Sequence, residues 1–351
     1  MPATGPDRLD GPALAELYER VRHGSEEVLG TLEGHPMLVV DLDRPTGTGR
    51  LEIPPAFGSV VIAISRTGTS DDRLSGVDVA ISGSDRSARP WVSVADLDEE
   101  LDAMAVAVQR SPMASVALVQ VLRSGRSDSL DHDLLIESLA YSTLQSGPEF
   151  ARWLAAKPAT PVAPLTPTSV RSLVVERSGA RLSLTFDRPR VRNAYSRAMR
   201  DELCEALAVA CADPSIREVH LHGRGPDFCS GGDLAEFGTR PDAAAGHLIR
   251  TSRSAARLLG VVGDRTVAHL HGACVGAGVE LPALASRVVA RADTHLRLPE
   301  VAMGLIPGAG GTATLPRRIG RHRTGWLALT GQFIGADTGR DWGLIDEVVE
   351  E

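Results

Sequence analysis

Three short segments of this sequence hold residue types that can stabilise and move charge. GRGPDFCSGGDLAEFG, residues 223–238, turns the backbone at Gly231-Gly232 and sets Asp233 at a helix start. Glycine there admits a conformation or close approach that a side chain forbids, so a free N–H can point into a cleft. HGACVGAGVELPALA, residues 271–285, places Gly276, Ala277 and Gly278 where a strand gives way to a helix. N–H groups at a helix start lack internal acceptors, and the helix dipole favours negative charge there. Glu280 lies in that first turn, where a carboxylate that only complements the dipole has the same signature. LRLPEVAMGLIPGAGGTATLPRRIG, residues 296–320, carries Glu300 after Pro299, then the loop Pro307-Gly308-Ala309-Gly310-Gly311-Thr312. Two backbone donors aimed at one point form an oxyanion hole, which supports chemistry through an enolate. Two carboxylates beside it handle protons or position water. Taken singly, each segment also fits an ordinary loop, with Asp233 as a cap and Glu300 on a solvated turn. Gly276-Ala277-Gly278 does not fit a dinucleotide fingerprint, because Leu281 stands where a small residue is needed.

The elements that position these segments are legible in outline. SLVVERSGARLSLTFDRP reads as two strands around a Ser-Gly turn, and Ser196 as the cap of a helix ended by Asp213-Pro214. REVHLHGRG, TVAHLHGAC and RVVARA read as strands, the second followed by a helix through Leu284, and GRHRTGWLALTG as a closing helix. Upstream, Ala13–Leu32 reads as a helix, and MLVVDLD, SVVIAIS and GVDVAIS as Val- and Ile-rich strands. DLDEELDAMAVAVQRSP and DHDLLIESLAYSTLQSGPEFARWLAAK read as helices, the latter breaking near Ser146-Gly147. Pro158, Pro161, Pro164 and Pro167 recur at every third position, which favours an extended spacer. The expected organisation is an N-terminal α+β region over 1–157, a linker over 158–169 and an α/β core over 170–351.

Composition narrows the classes. The chain has 351 residues, 43% of them hydrophobic and 23% charged, a globular balance. Lys+Arg is 37 against Asp+Glu at 45, a net charge of -8 that disfavours a general nucleic-acid partner. Lys157 is the one lysine, so an anionic ligand must be met by arginine. No apolar run reaches the roughly 20 residues of a membrane span, and no signal core follows a basic start. The four cysteines, Cys204, Cys211, Cys229 and Cys274, form no Cys-x-x-Cys pair and read as reduced cytoplasmic thiols, with no metal site expected.

RPRVRNAY, FCSGGDL, HGACVGAGVEL, LPEVAMGLIPGAGGT and WGLIDEVV stand in this order over residues 171–349. Together they resemble the enoyl-CoA hydratase/isomerase (crotonase) family. The resemblance implies an α/β, crotonase-like ββα spiral core. It implies oxyanion donors at Gly232 and Ala277, catalytic carboxylates at Glu280 and Glu300, and a water-holding N–H at Gly308. It places coenzyme A contacts at Arg192, Asn193 and Ala194, with Ser230 and Asp233 beside them. The implied reaction is hydration of a 2-enoyl-CoA, with Glu280 activating water and Glu300 handling the C2 proton. It requires no cofactor beyond the coenzyme A of its substrate. Other readings within the fold are an isomerase or a specialised biosynthetic enzyme, including the cofactor-free dioxygenase type. A non-catalytic acyl-CoA-binding partner is a third. The family implies a cytoplasmic homo-oligomer, trimer or hexamer, in fatty acid metabolism.

Family members continue past the WGLIDEVV position into a helical segment that closes the site, whereas this sequence stops at Glu351. PWVSVADLDEELDAMAVAVQRSPMASVALVQVLRSG and LLIESLAYSTLQSGPEFARWLAAK resemble that segment. The expectation is therefore a rearranged family member, its closing helices set ahead of the core. Strands over residues 37–83 are then an eroded second copy of the core's start, and Lys157 stands where a family lysine approaches the coenzyme A phosphates. An unrelated N-terminal domain is the alternative.

Overall fold

Val- and Ile-rich runs in the first half form a sheet with both faces covered. The computed structural model describes residues 7–9, 30–44, 53–68, 72–85, 87–126, 128–157, 171–239 and 242–350. Strands β1 (Asp7–Leu9), β2 (Met37–Asp41), β3 (Val60–Ser65), β4 (Val79–Ser82) and β5 (Val92–Ser93) pair in sequential order, all parallel. Every residue of β2, β3 and β4 is buried, as continuous apolar strands of a parallel sheet must be. Successive side chains alternate faces. Met37, Val39, Ile62, Ile64, Val79 and Ile81 join the main core, while Leu38, Val40, Val61, Ala63 and Ala80 pack with Phe57 and Trp91 in a second one. The helix expected over 13–32 lies outside the described residues up to 29, as does the proline spacer over 158–169.

Four helices follow the sheet. Helix α1 (Leu97–Arg110) starts at Asp96, whose carboxylate accepts from the N–H groups of Asp98 and Glu99, and it buries Leu101, Met104, Ala105 and Val108. After α2 (Pro112–Ser124) come α3 (Leu130–Gln145) and α4 (Pro148–Ala156), divided at Ser146-Gly147 as the sequence predicts. Glu149 of α4 accepts from the N–H groups of Met113 (2.8 Å) and Ala114 (3.0 Å), satisfying orphan donors at the start of α2.

The second half begins with the antiparallel pair β6 (Leu173–Ser178) and β7 (Arg181–Phe186). Helix α5 (Arg197–Ala212) is capped by Ser196, and β8 (Glu218–Gly223) follows. Next are α6 (Ala243–Ser252), α7 (Ala255–Val262), β9 (Thr266–Leu270) and β10 (Ala273–Val275). The chain closes through α8 (Ala277–Glu280), β11 (Arg287–Arg291), β12 (His295–Arg297), α9 (Gly311–Thr330), β13 (Ile334–Gly335), α10 (Ala336–Trp342) and β14 (Glu347–Val349). One sheet runs β14-β11-β9-β8-β7-β6 and the other β10-β12-β13. TVAHLHGAC, read as one strand, is thus two strands in different sheets, separated at Gly272 with φ +54°. The helix expected through Leu284 is the single turn α8 followed by a 3-10 turn at Pro282–Leu284, because Pro282 carries no N–H to continue the ladder. Helix α9 runs further upstream than GRHRTGWLALTG and breaks at Gly320.

The two halves share one core. Buried residues from Met37 to Ile345 form a single apolar cluster, and α9 packs against α1, α2, α3 and β4. Polar ties cross the same boundary. Arg317 pairs with Asp133 at 2.8 Å, the Trp326 indole donates to Glu100 at 2.8 Å, and Arg323 Nε donates to the Trp91 carbonyl at 3.0 Å. Among the described residues no single helix is long and apolar enough to cross a membrane.

Candidate active site

A cavity of about 410 Å³ opens between α3, α5, α7 and the glycine-rich turns. Gly232, Ala277, Glu280, Glu300 and Gly308, drawn from three separate segments, all line it. Tyr195 pins the Gly231-Gly232 turn. Its N–H donates to Gly231 O at 2.7 Å, and its carbonyl accepts from Asp233 N–H at 3.1 Å. Ala277 is the first residue of α8, so its N–H has no acceptor within the helix.

Gly276 decides how the carboxylates meet. Its φ of +51° and ψ of -118° belong to a region that residues with a side chain rarely adopt. A methyl built there would stand 2.5 Å from Glu300 Oε1 and 3.7 Å from Glu280 Oε1, so both side chains converge on one small volume. Glu280 Oε2 accepts from the N–H groups of Ala309 (2.8 Å) and Gly311 (2.7 Å). Burial nevertheless pushes its carboxyl up to about 7, against those two hydrogen bonds that favour the anion. Glu300 sits on a 3-10 turn, Glu300–Met303, with Oε2 buried and without a hydrogen-bond partner. Its carboxyl is raised well above the usual range, first by burial and then by the charge of Glu280. The pair therefore offers one group that ionises near neutrality and one that holds its proton, the division a base and an acid need.

A third buried carboxylate, which no sequence motif marks, holds the same loop. Glu137 of α3 accepts from Gly310 N–H (2.8 Å) with Oε1, and from Thr312 N–H (2.9 Å) and Thr312 Oγ1 (2.7 Å) with Oε2. Burial and the charge of Glu280 push its carboxyl up to about 8. One turn on, Tyr141 lays its ring against Gly308, and Arg250 of α6 stacks over that ring at 4.5 Å. Helix α4 packs against the turn that carries Glu300, and its Trp153 meets Phe237 edge-on at 5.8 Å. The only sequence signal for Glu137 was an acid among the apolar positions of LLIESLAY, which reads equally as a solvated face.

The expected coenzyme A contacts fare differently. Arg192, Asn193, Ala194, Ser230 and Asp233 are not among the residues lining the cavity. The Asn193 side chain is fully buried, receiving Arg188 N–H and donating to the carbonyls of Arg224 and Asp227, which fastens the turn. Asp233 pairs with Arg188 at 2.9 Å and accepts from Ala235 N–H. Arg192 is exposed, 3.5 Å from Asp227, and Ser230 Oγ donates to Val191 O at 3.5 Å. Ala194 gives its carbonyl to Arg188. Positive charge at the cavity comes instead from Arg197, Arg200, Arg250, Arg253 and Arg257. Lys157 donates to the Leu234 carbonyl just beyond the Gly232 turn. Cys229 and Cys274 are buried, and burial pushes the Cys229 thiol up to about 12, as a packing thiol requires. Among the described residues His220, His222 and His269 form a potential ligand cluster outside the cavity lining. The His222 and His269 rings stack at 4.4 Å, and His220 hydrogen-bonds to His269 at 2.9 Å.

Residues 176–351 match the family described as enoyl-CoA hydratase/isomerase. The chain belongs to that family. It is 34% identical over 180 residues to mevalonyl-coenzyme A hydratase of Beauveria bassiana, covering 48% of this chain and 64% of that protein. To 2,3-dehydroadipyl-CoA hydratase of Escherichia coli it is 34% identical over 176 residues, 50% of this chain and 68% of the relative. To 1,2-epoxyphenylacetyl-CoA isomerase of the same organism it is 32% identical over 174 residues, 48% and 66%. The chain thus spans about two thirds of the length of these relatives, slightly less for the fungal protein. The hydratase/isomerase fold, with its mixed sheets and helices, is the architecture of the second half, and helix α3 from the first half lines the same cavity.

Proposed function

We propose that this chain hydrates the 2,3 double bond of a 2-enoyl-CoA thioester. The observation that carries the reading is the meeting of Glu280 and Glu300 across Gly276, beside the N–H groups of Gly232 and Ala277. The thioester oxygen accepts from Gly232 and Ala277 as negative charge builds on it. Glu280, ionising near neutrality, takes a proton from water attacking C3. Glu300, held protonated, delivers its proton to C2. The arginines around the cavity suit the phosphates of coenzyme A, since guanidinium groups bind phosphate oxygens with paired donors.

We read residues 97–157 as the family's closing helical segment set ahead of the core, supported by the packing of α1, α2 and α3 on α9. Incubation with crotonyl-CoA tests the activity through loss of the enoyl-thioester absorbance. A chain that binds acyl-CoA without consuming it is a binding partner instead. The acid and base pair also suits an isomerase, and product analysis with a 3-enoyl-CoA separates the two: an isomerase yields the 2-enoyl isomer as an end product.

A further inference from the structure

The loop over residues 309–312 is gripped from two sides. Its first and third N–H groups, on Ala309 and Gly311, donate to Glu280, and its second and fourth, on Gly310 and Thr312, donate to Glu137. Neither carboxylate can shift without disturbing the loop that holds the other. Glu137 belongs to α3, upstream of the family-matching residues, and α3 also reaches the cavity through Tyr141. We infer that Glu137 is a positioning residue for the reaction: by fixing the loop it sets the placement and ionisation of Glu280, so that part of the reactive apparatus comes from the first half of the chain. This inference rests on the hydratase reading.

The charged and titratable groups facing Glu137 are Glu280 on α8, Glu300 on its 3-10 turn, Tyr141 on α3 itself and Arg250 on α6. Burial and the charge of Glu280 push the Glu137 carboxyl up to about 8, above the value of about 7 for Glu280, so Glu137 acts on Glu280 through the shared loop and not through its own charge. Glu137→Gln keeps the volume but leaves one acceptor oxygen for the three donors of Gly310 and Thr312. Glu137→Asp keeps both acceptor oxygens but is too short to bridge Gly310 and Thr312.

The test compares pH–rate profiles of the full-length protein and both variants on crotonyl-CoA. Both variants should lose roughly tenfold or more in kcat with KM changed less than about threefold, the mark of misplacement rather than lost binding. The acid limb should move up by about half a unit or more in both variants, because a loosened loop weakens the Ala309 and Gly311 N–H bonds that favour the Glu280 anion. A helix that merely packs would lower thermal stability and leave the limb where it was, and that result overturns the inference. Infrared titration of the buried carboxyl C=O band, assigned with Glu280→Gln, gives a readout that needs no turnover. An inactive wild type sinks the hydratase reading alone. An unmoved Glu280 midpoint in Glu137→Gln sinks the positioning role whatever the reaction.

Discussion

Glu280 and Glu300 face each other across Gly276, whose missing side chain leaves 3.7 Å and 2.5 Å to their nearer oxygens from the place a methyl would occupy. One arrives from a single helical turn and the other from a 3-10 turn, and the space between them exists because residue 276 is glycine. Gly276→Ala should therefore push Glu300 aside and strain the backbone at once. We expect at least about a 100-fold fall in turnover, with a lowered melting temperature, since misplacing a reacting group by about 1 Å costs that much. Activity within a factor of about two of wild type would show that the two carboxylates do not act together.

The carboxylates themselves are tested by near-isosteric change. Glu280→Gln and Glu300→Gln should each reduce turnover by about 100-fold or more, the scale of general acid–base catalysis. Circular dichroism should be unchanged, because neither swap alters volume. A variant that retains full rate would take that residue out of the mechanism.

For the oxyanion turn, geometry predicts asymmetry. A methyl at Gly232 would come 2.9 Å from the Phe237 ring, so Gly232→Val must displace that ring or the turn. Ala277 already carries a methyl, so Ala277→Gly should be mild. Steady-state kinetics should show Gly232→Val crippled and Ala277→Gly close to wild type; equal, small losses would make both turns merely structural.

The pH dependence of stability has a fixed sign. Glu280 and Glu137 carry carboxyls pushed up to about 7 and about 8 in the folded protein, above the ordinary value of 4.5 they regain on unfolding. The folded state then binds more protons, so this contribution is fully present below about 4.5 and is lost as pH rises through 7 and 8. Chemical denaturation should show stability falling from pH 5 to pH 8 by more in wild type than in Glu137→Gln. The rate should rise with pH through about 7 as Glu280 ionises, then fall at higher pH as Glu300 loses its proton.

Removing the first half should be ruinous. Helix α9 buries Leu315, Ile319, Trp326 and Leu327 in a core shared with α1 and α2. Glu137 and Tyr141 also leave the cavity when α3 goes. A chain starting at Ser169 should be insoluble or inactive, and residues 1–168 supplied in trans should restore part of the activity. A soluble, active second half on its own would make the first half an independent appendage.

The order and spacing of five motifs determined the family of the second half and pointed to the two glutamates and two glycine turns that line the cavity, because such motifs rest on local backbone geometry that short segments carry with them. Strand and helix periodicity likewise determined β2, β3, β4, α1, α3 and α4, whose apolar spacing is a property of each segment alone. Tertiary structure decided the rest. Asn193, read as a ligand contact, turned out to fasten a turn because its amide meets carbonyls of residues more than 30 positions away. Arg197 and Arg257 became cavity residues because α5 and α7 bring them there. Glu137 looked like one more acid on a helix until folding set it against Gly310 and Thr312, 173 and 175 residues downstream. A buried carboxylate is tolerable only where donors await it, and no local pattern announces donors that lie on the far side of the chain.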